Sequence, residues 1–194
     1  MKTIKVNIQE KNIFFTSDTH FNHANIIKYC DRPFKSVEEM NKTMMYNWNS
    51  RVGKKDIVFI LGDFLFRGGK GAWVYMLNNL NGIKYLIQGN HDRYGDIPIN
   101  MFEQVSPMMN LLIMGDEEIP QGQRIALCHY PMVSWYQSHR GSWQLYGHVH
   151  GGLSNKGETR VTANQYDVGV DNNDFELVLY QQVKTIITKQ NLKT

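Results

Sequence analysis

Asp18-Thr19-His20, Gly62-Asp63, Gly89-Asn90-His91-Asp92, His129 and Gly147-His148-Val149-His150 are the places where this sequence gathers carboxylate, amide and imidazole groups. Each follows an apolar run: Phe14-Phe15, Ile57 to Leu61, Ile83 to Ile87, Ile125 to Cys128, and Leu145-Tyr146. Carboxylate and imidazole together suit divalent Mn, Fe or Zn. Mg prefers a shell richer in oxygen, and closed structural Zn sites more often recruit thiolates. The set holds more donors than one four-coordinate ion can use. It suits a two-metal site, in which a carboxylate bridges the ions and a trapped hydroxide becomes a nucleophile. Singly, the signals are weak. Asp-x-His and Gly-Asp often make turns, and GNHD reads as a polar turn by itself. GHVH says more, because alternate residues of an extended segment face the same way. The weight lies in five such exits in succession, each after an apolar run.

Donors placed this way need strands to carry them. In sheet-based α/β proteins, ligands bind beyond the carboxyl ends of strands. The segments 12–18, 56–63, 82–92, 124–131 and 142–150 read as strands, with one or two more within 101–114 and another at 166–171. The segment 36–53 reads as a helix. Ser36 with Glu39 makes a capping-box pattern, Gly53 supplies the stop, and Val37, Met40, Met44 and Trp48 recur at helical spacing. That Met and Trp stripe is expected to be core packing. Segments 71–82 and 179–190 are predicted helices, and 154–164 a surface loop. Strands alternating with helices early, then mostly strands, predict a layered α/β sandwich.

Composition narrows the class. The 194 residues suit a single domain, 1–194, and the formal charge of +3 gives only weak attraction to anions. A basic stripe for duplex binding is missing, so nucleic acid is permitted as a partner but not supported by charge. Two cysteines make no disulfide framework, which points to a reducing compartment. The N-terminus lacks the apolar core of a signal peptide, and no apolar run is long enough to span a bilayer. A cytoplasmic protein without a membrane partner is expected. Oligomeric state is not legible.

The order D-x-H, GD, GNH-D, H, GHxH resembles the calcineurin-like metallophosphoesterase superfamily over about residues 13–171, and DTHFNHANII resembles its small bacterial and phage members. The resemblance implies a four-layer α/β/β/α sandwich with a dinuclear metal site at the strand C-terminal ends. It assigns Asp18, His20 and His150 to one divalent ion and Asn90, His129 and His148 to the other, with Asp63 bridging. His91 is implied as the catalytic proton donor to the leaving oxygen, a task suited to a histidine near neutral pH. Arg67 and Asn90 are implied substrate contacts, with a solvated surface arginine the equal alternative for Arg67. Asn22 and His23 either touch substrate or orient a ligand, or else cap a helix and pack in the core; Asp92 is expected to fix its loop or a neighbouring histidine, and Asp171 is a candidate support that the sequence does not favour. Arg93 is a possible phosphate contact or a plain surface arginine.

One departure is informative. Many members read GD-x-x-D-R-G, whereas this chain reads GDFLFRG at 62–68, with Phe66 where the second Asp would stand. In the family's protein phosphatases that Asp pairs with the catalytic histidine. The chain is therefore expected to be a phosphodiesterase on a small nucleotide-like phosphoester. A phosphomonoesterase or protein phosphatase is the nearest alternative, a non-catalytic scaffold on the same fold is a second, and a purely structural metal protein is a third. The aromatic segment 130–143 is expected to cover the core. Its other reading is a substrate wall in which Trp135 or Tyr136 stacks a base and Arg140 meets phosphate.

Overall fold

Ile13-Phe14-Phe15-Thr16 and Ile57-Val58-Phe59-Ile60 are too apolar to leave either face in water, and both strands are buried along their whole length. They sit centrally in a sheet with helices on one side and a second sheet on the other. The computed structural model describes residues 3–152 and 162–192. The strands are β1 (Thr3–Asn7), β2 (Ile13–Thr16), β3 (Ile57–Ile60), β4 (Ile83–Ile87), β5 (Gln104–Ser106), β6 (Met108–Met114), β7 (Gln123–Cys128), β8 (Trp143–Tyr146), β9 (Gln165–Asp167) and β10 (Val178–Leu179). The helices are α1 (Ile26–Tyr29), α2 (Val37–Arg51), α3 (Gly69–Asn78) and α4 (Tyr180–Asn191).

One sheet has the order β10-β2-β3-β4-β5, the other β1-β6-β7-β8-β9. Strands β2 to β5 are parallel, with Phe14 opposite Val58 and Phe59 opposite Tyr85. β7, β8 and β9 are also parallel, while β6 and β7 run antiparallel. Alternation along each strand divides the core in two. Phe14, Val58, Ile60 and Leu86 pack on Met40, Met44 and Trp48 of α2 and Trp73, Met76 and Leu77 of α3. Phe15, Phe59, Leu61 and Ile87 face Leu111, Ile113, Leu127 and Leu145 of the other sheet. Helix α4 contributes Tyr180, Val183 and Ile187 to this second core and touches β2, β9 and β10, so it closes one edge of the sandwich. The far face of the second sheet is covered by segment 130–142. Gln144 donates to the Tyr130 carbonyl at 2.8 Å, and the buried Trp135 donates its indole N–H to the Ser142 carbonyl at 3.0 Å.

The α/β sandwich expected from the sequence is present, and the boundaries moved for physical reasons. The Ser36 hydroxyl caps α2 by accepting the Glu39 N–H at 3.2 Å. Helix α3 begins at Gly69 rather than 71, because Gly68 at φ 110° lets the chain turn straight from Arg67 into a helix. It stops at Asn78, where the next residue, Asn79, donates its side-chain amide to the Tyr75 carbonyl at 2.8 Å. β1 was not foreseen, since Thr3-Ile4-Lys5-Val6-Asn7 is half polar and gains its place by pairing with β6. Most of the predicted loop 154–164 lies outside the described residues. No helix among the described residues is long and apolar enough to cross a membrane.

Candidate metal centre

The parallel strands β2, β3, β4, β7 and β8 release their chains at one end of the sandwich, and all seven predicted ligands lie there. The exits are stitched to one another. Asp18 N–H donates to the Gly62 carbonyl at 3.0 Å, His20 N–H to the Asp63 carbonyl at 2.9 Å and Gly147 N–H to the His129 carbonyl at 2.9 Å. The two sheets are joined by His148 N–H donating to Asp18 Oδ2 at 2.9 Å. The chain must bend sharply here, and Asp18, His20, Asp63, His148 and His150 all sit at positive φ, from 47° to 72°. Asp and His tolerate this region better than most residues, but each still costs about 1 kcal/mol or more. Such strain persists only where surrounding bonds fix it. The glycines have a separate reason: a Cβ on Gly89 would run into Asp63, and one on Gly147 into Ser17 and Asp18. Asp92, buried, accepts backbone N–H bonds from Asp63, Phe64 and Gly89 at 2.9–3.0 Å, so it ties the GD turn to the GNHD loop as expected.

The donor atoms converge as cation ligands do. Asp63 Oδ2 lies 3.5 Å from His20 Nε2 and 3.6 Å from His129 Nε2. Two ligands of one ion at ~2.1 Å each stand roughly 3–3.5 Å apart, so this one oxygen is within reach of an ion on either side. Asp18, His20 and His150 offer atoms within 4.8 Å of one another, and so do Asp18, Asp63 and His129. His129 Nδ1 donates to the Leu61 carbonyl at 2.7 Å, which leaves a lone pair on Nε2. That lone pair points at Asn90 Oδ1, 2.9 Å away, and His148 Nδ1 lies 3.0 Å from the same oxygen. A cation between these groups satisfies all three. On the other side Asp18 Oδ1 and His20 Nε2 are buried without a hydrogen-bond partner. Buried polar atoms without partners are rare, and here they face one another's ligand set. The residues therefore fit divalent metal.

The electrostatics agree. Burial pushes the Asp18 carboxyl up to about 8, because no positive group inside the fold compensates it fully. Burial also holds the His20 imidazole down at about 2, the neutral form a metal ligand needs. Burial lowers His129 and His148 as well. His150 differs. Burial works against its charge, but the Asp171 carboxylate, 2.6 Å from Nδ1, carries it up to about 10. Asp171 in turn is gripped by Arg32, with Nε to Oδ1 and Nη2 to Oδ2 both at 2.7 Å. Arg32 also donates to the Asp18 carbonyl at 2.8 Å and the Thr19 carbonyl at 3.1 Å. The sequence raised Asp171 as a support without favouring it and did not raise Arg32. Nor did it foresee Cys30, whose thiol lies within 4.8 Å of ligand atoms of His150 and Asp171.

His91 is exposed at the mouth, and its backbone N–H donates to Asp63 Oδ1 at 2.8 Å. Its ring lies 5.4 Å from His20 and edge-on to Phe66 at 5.5 Å. The ring that replaces the acidic partner thus packs on the imidazole. Arg67 is exposed, with its guanidinium carbon 5.6 Å from the centre of the Phe66 ring. His23 comes within 3.4 Å of His20, Nδ1 to Nδ1, close enough to orient that ring, while Asn22 donates to the Arg67 carbonyl at 3.0 Å. A cleft of about 630 Å³ opens beside the centre, bordered by His20, His91 and His150. Arg93 is exposed and lies outside that lining. Tyr136 and Arg140 lie near Arg124, toward the start of β7 and away from the metal end, so the substrate-wall reading of 130–143 is not met.

A family model described as calcineurin-like phosphoesterase matches residues 11–152. The chain is 41% identical over 141 residues to the uncharacterized protein MJ1445 of Methanocaldococcus jannaschii, covering 72% of this chain and 70% of that one. It is 31% identical over 183 residues to the gene 66 protein of Mycobacterium phage D29, covering 82% and 88%. Among solved structures, a protein of unknown function, AQ665 from Aquifex aeolicus, shares the fold with a TM-score of 0.68 at 23% identity, over 91% of this chain and 99% of that one.

Proposed function

From the chain's membership of the calcineurin-like phosphoesterase family, we propose that it is a dinuclear metal-dependent phosphodiesterase acting on a small, nucleotide-like phosphoester. Membership supports a metal-dependent phosphoesterase; the finer reading rests on the site. The observation that carries it is the position of Asp63 Oδ2, near-equidistant from His20 Nε2 and His129 Nε2 at 3.5 and 3.6 Å. This spacing supports a carboxylate that would serve an ion on either side.

Asp18, His20 and His150 would hold one divalent ion and Asn90, His129 and His148 the other. The carboxylate and imidazole donors favour Mn, Fe or Zn. When bound, the pair supplies Lewis acidity to phosphoryl oxygens and lowers the pKa of water. The rest falls to the chain. Asp63 fixes the backbone of His91 through the bond to Oδ1. His91 stands beside the ligands with its ring lining the cleft, and from there it donates a proton to the departing ester oxygen. Arg67, exposed at the rim, offers a planar fork of donors to non-bridging phosphate oxygens. Phe66 leaves His91 without the acidic partner of the protein phosphatases, and its ring makes the floor suited to a diester with organic groups on phosphorus.

The test is metal-free protein reloaded with Mn and given p-nitrophenyl phosphate and bis-p-nitrophenyl phosphate in parallel. Asp63→Asn and His91→Ala serve as controls. Diester cleavage lost in both variants is expected. Monoester cleavage alone would make it a phosphatase. Two bound metals with no turnover of either substrate would make it a scaffold.

A further inference from the structure

The cleft beside the metal centre carries a feature that phosphoester chemistry does not need. Along its wall three rings follow one another away from the proton donor. Phe66 meets His91 edge-on, His23 stacks on Phe66 with centroids 3.7 Å apart and planes 11° apart, and Tyr29 stands edge-on to His23 at 6.2 Å. Tyr29 is 72% exposed, on a one-turn helix at the cleft's rim. A large aromatic side chain this open gains little for the fold. The polar groups at the rim are unspent too. Asn25 occupies the N-cap position of α1, yet its side chain makes no capping bond. Arg67 is exposed beside Phe66.

We infer that this wall, with Tyr29 as its exposed face, binds the base of a nucleotide whose phosphate lies at the metal centre. The inference rests on the phosphoesterase reading and adds a specific receptor for the organic half of the substrate. Three observations carry it. The cleft is continuous with His91, His20 and His150, so it offers room along the wall for the ester group of a phosphate held there. Its volume of about 630 Å³ lies within the ~300–1,000 Å³ of small-ligand sites. Its lining combines the rings of Phe66, His23 and Tyr29 with the Asn25 amide and the Arg67 guanidinium, beside Ile26, Cys30 and Val149, which suits a flat heteroaromatic ring with polar edges. An acyl chain would call for continuous apolar lining, and a sugar phosphate would leave the rings unused. Stacking on aromatic side chains accepts any base, so discrimination among bases falls to Asn25 and Arg67.

The experiment is equilibrium binding by calorimetry to Mn-loaded protein, with adenosine 5′-monophosphate and ribose 5-phosphate as probes. The two share a phosphate and a sugar and differ by the base. Wild type should bind the nucleotide about tenfold or more tightly, as expected when one base stacks. The affinity ratio should fall severalfold in Tyr29→Ala and be kept in Tyr29→Phe, which retains the ring. Phe66→Leu supplies a second variant deeper in the wall and should also lower the ratio. Equal binding of the two probes by wild type would overturn the inference, and so would a large ratio untouched by both Tyr29→Ala and Phe66→Leu. Neither result would touch the phosphoesterase reading, which is decided separately by metal-dependent cleavage of bis-p-nitrophenyl phosphate. Failure of that cleavage, with nucleotide still preferred, would leave a nucleotide-binding protein and not an enzyme.

Discussion

Asp18 and His20 are 0% and 2% exposed, whereas Asn90 and His148, built from similar donor chemistry, stand open at the rim. The deep group leaves Asp18 Oδ1 and His20 Nε2 without partners, and burial, together with neighbouring charges, moves both residues far from their ordinary titration. The outer group leans on itself, with Asn90 Oδ1 shared between His129 and His148. Support differs in the same way. Arg32, Asp171 and His23 brace the deep residues from within the fold, while His148 is held by its backbone bond to Asp18, by Asn90 and by the Tyr130 ring 4.6 Å away. A buried polar group without a partner costs roughly 1–3 kcal/mol, more when charged. An ion on the Asp18 and His20 side is therefore expected to stabilise the folded structure, and one on the Asn90 and His148 side to exchange.

The largest effect should come from the residue that joins the two halves. Asp63→Asn keeps the shape and removes the shared charge. Activity should fall by about a thousandfold or more, since several kcal/mol of stabilisation are at stake at ~1.4 kcal/mol per decade. Metal content should fall below that of any variant confined to one half. A variant that kept both ions and full activity would remove the bridging role.

Next in size is the contrast itself. Metal bound only by the native state raises the melting temperature. Asp18→Asn should abolish most of the rise in Tm on Mn loading, whereas His148→Ala should keep most of it while losing activity and one equivalent of metal. Calorimetric melts of apo and loaded protein, read beside metal analysis, decide this. Equal losses of the Tm gain in the two variants would erase the distinction between a structural and an exchangeable ion.

Smaller again is the brace. Removing a carboxylate behind a metal-binding histidine typically costs ~10–100-fold in metal affinity. Asp171→Asn should weaken binding of the tighter equivalent by that factor with the weaker one little changed. Arg32→Met should do more, because it leaves the buried Asp171 carboxylate with His150 alone and also releases the Asp18 and Thr19 carbonyls. Competition with a chromophoric chelator reads both constants.

How legible these halves were in the sequence follows from distance along the chain. Asp18, His20, Asp63, His91, His129, His148 and His150 each follow an apolar run at once, so one local pattern marks both the strand and its exit. Phe66 was visible as a departure because its neighbours Arg67 and Gly68 kept their spacing. Arg32 was not visible. Its partner Asp171 lies 139 residues away, and nothing around Asp31-Arg32-Pro33 distinguishes a buried arginine from a surface one. The aromatic wall escaped for the same reason, since Tyr29 and Phe66 share the cleft lining only once α1 packs beside the exit of β3. Short strands such as β10, two residues long, exist by pairing and carry no period of their own.

The smallest prediction sharpens the comparison from outside the site. Lys84 is a buried charge too, at 8% exposure, but the fold supplies its partners. Its Nζ donates to the Leu80 carbonyl at 2.6 Å and the Gly82 carbonyl at 2.9 Å, just past the end of α3. Burial lowers its pKa from 10.5 to about 8, and a neutral amine still has two N–H groups for those two oxygens. The native state thus gives up this proton near pH 8, while the unfolded chain keeps it until about 10.5. Between those values the unfolded state binds more protons, so the native state gains stability as pH rises. Below pH 8 both states are charged and the burial cost is present in full. Relative to Lys84→Met, wild type should become progressively more stable from pH 8 to pH 10, as read by urea denaturation, with metal content and activity equal in the two proteins. Parallel pH profiles would mean that Lys84 keeps an ordinary affinity for its proton. In that case burial at this depth would not by itself perturb a charge, and the orphaned Asp18 would owe its shift to the metal centre's own crowding.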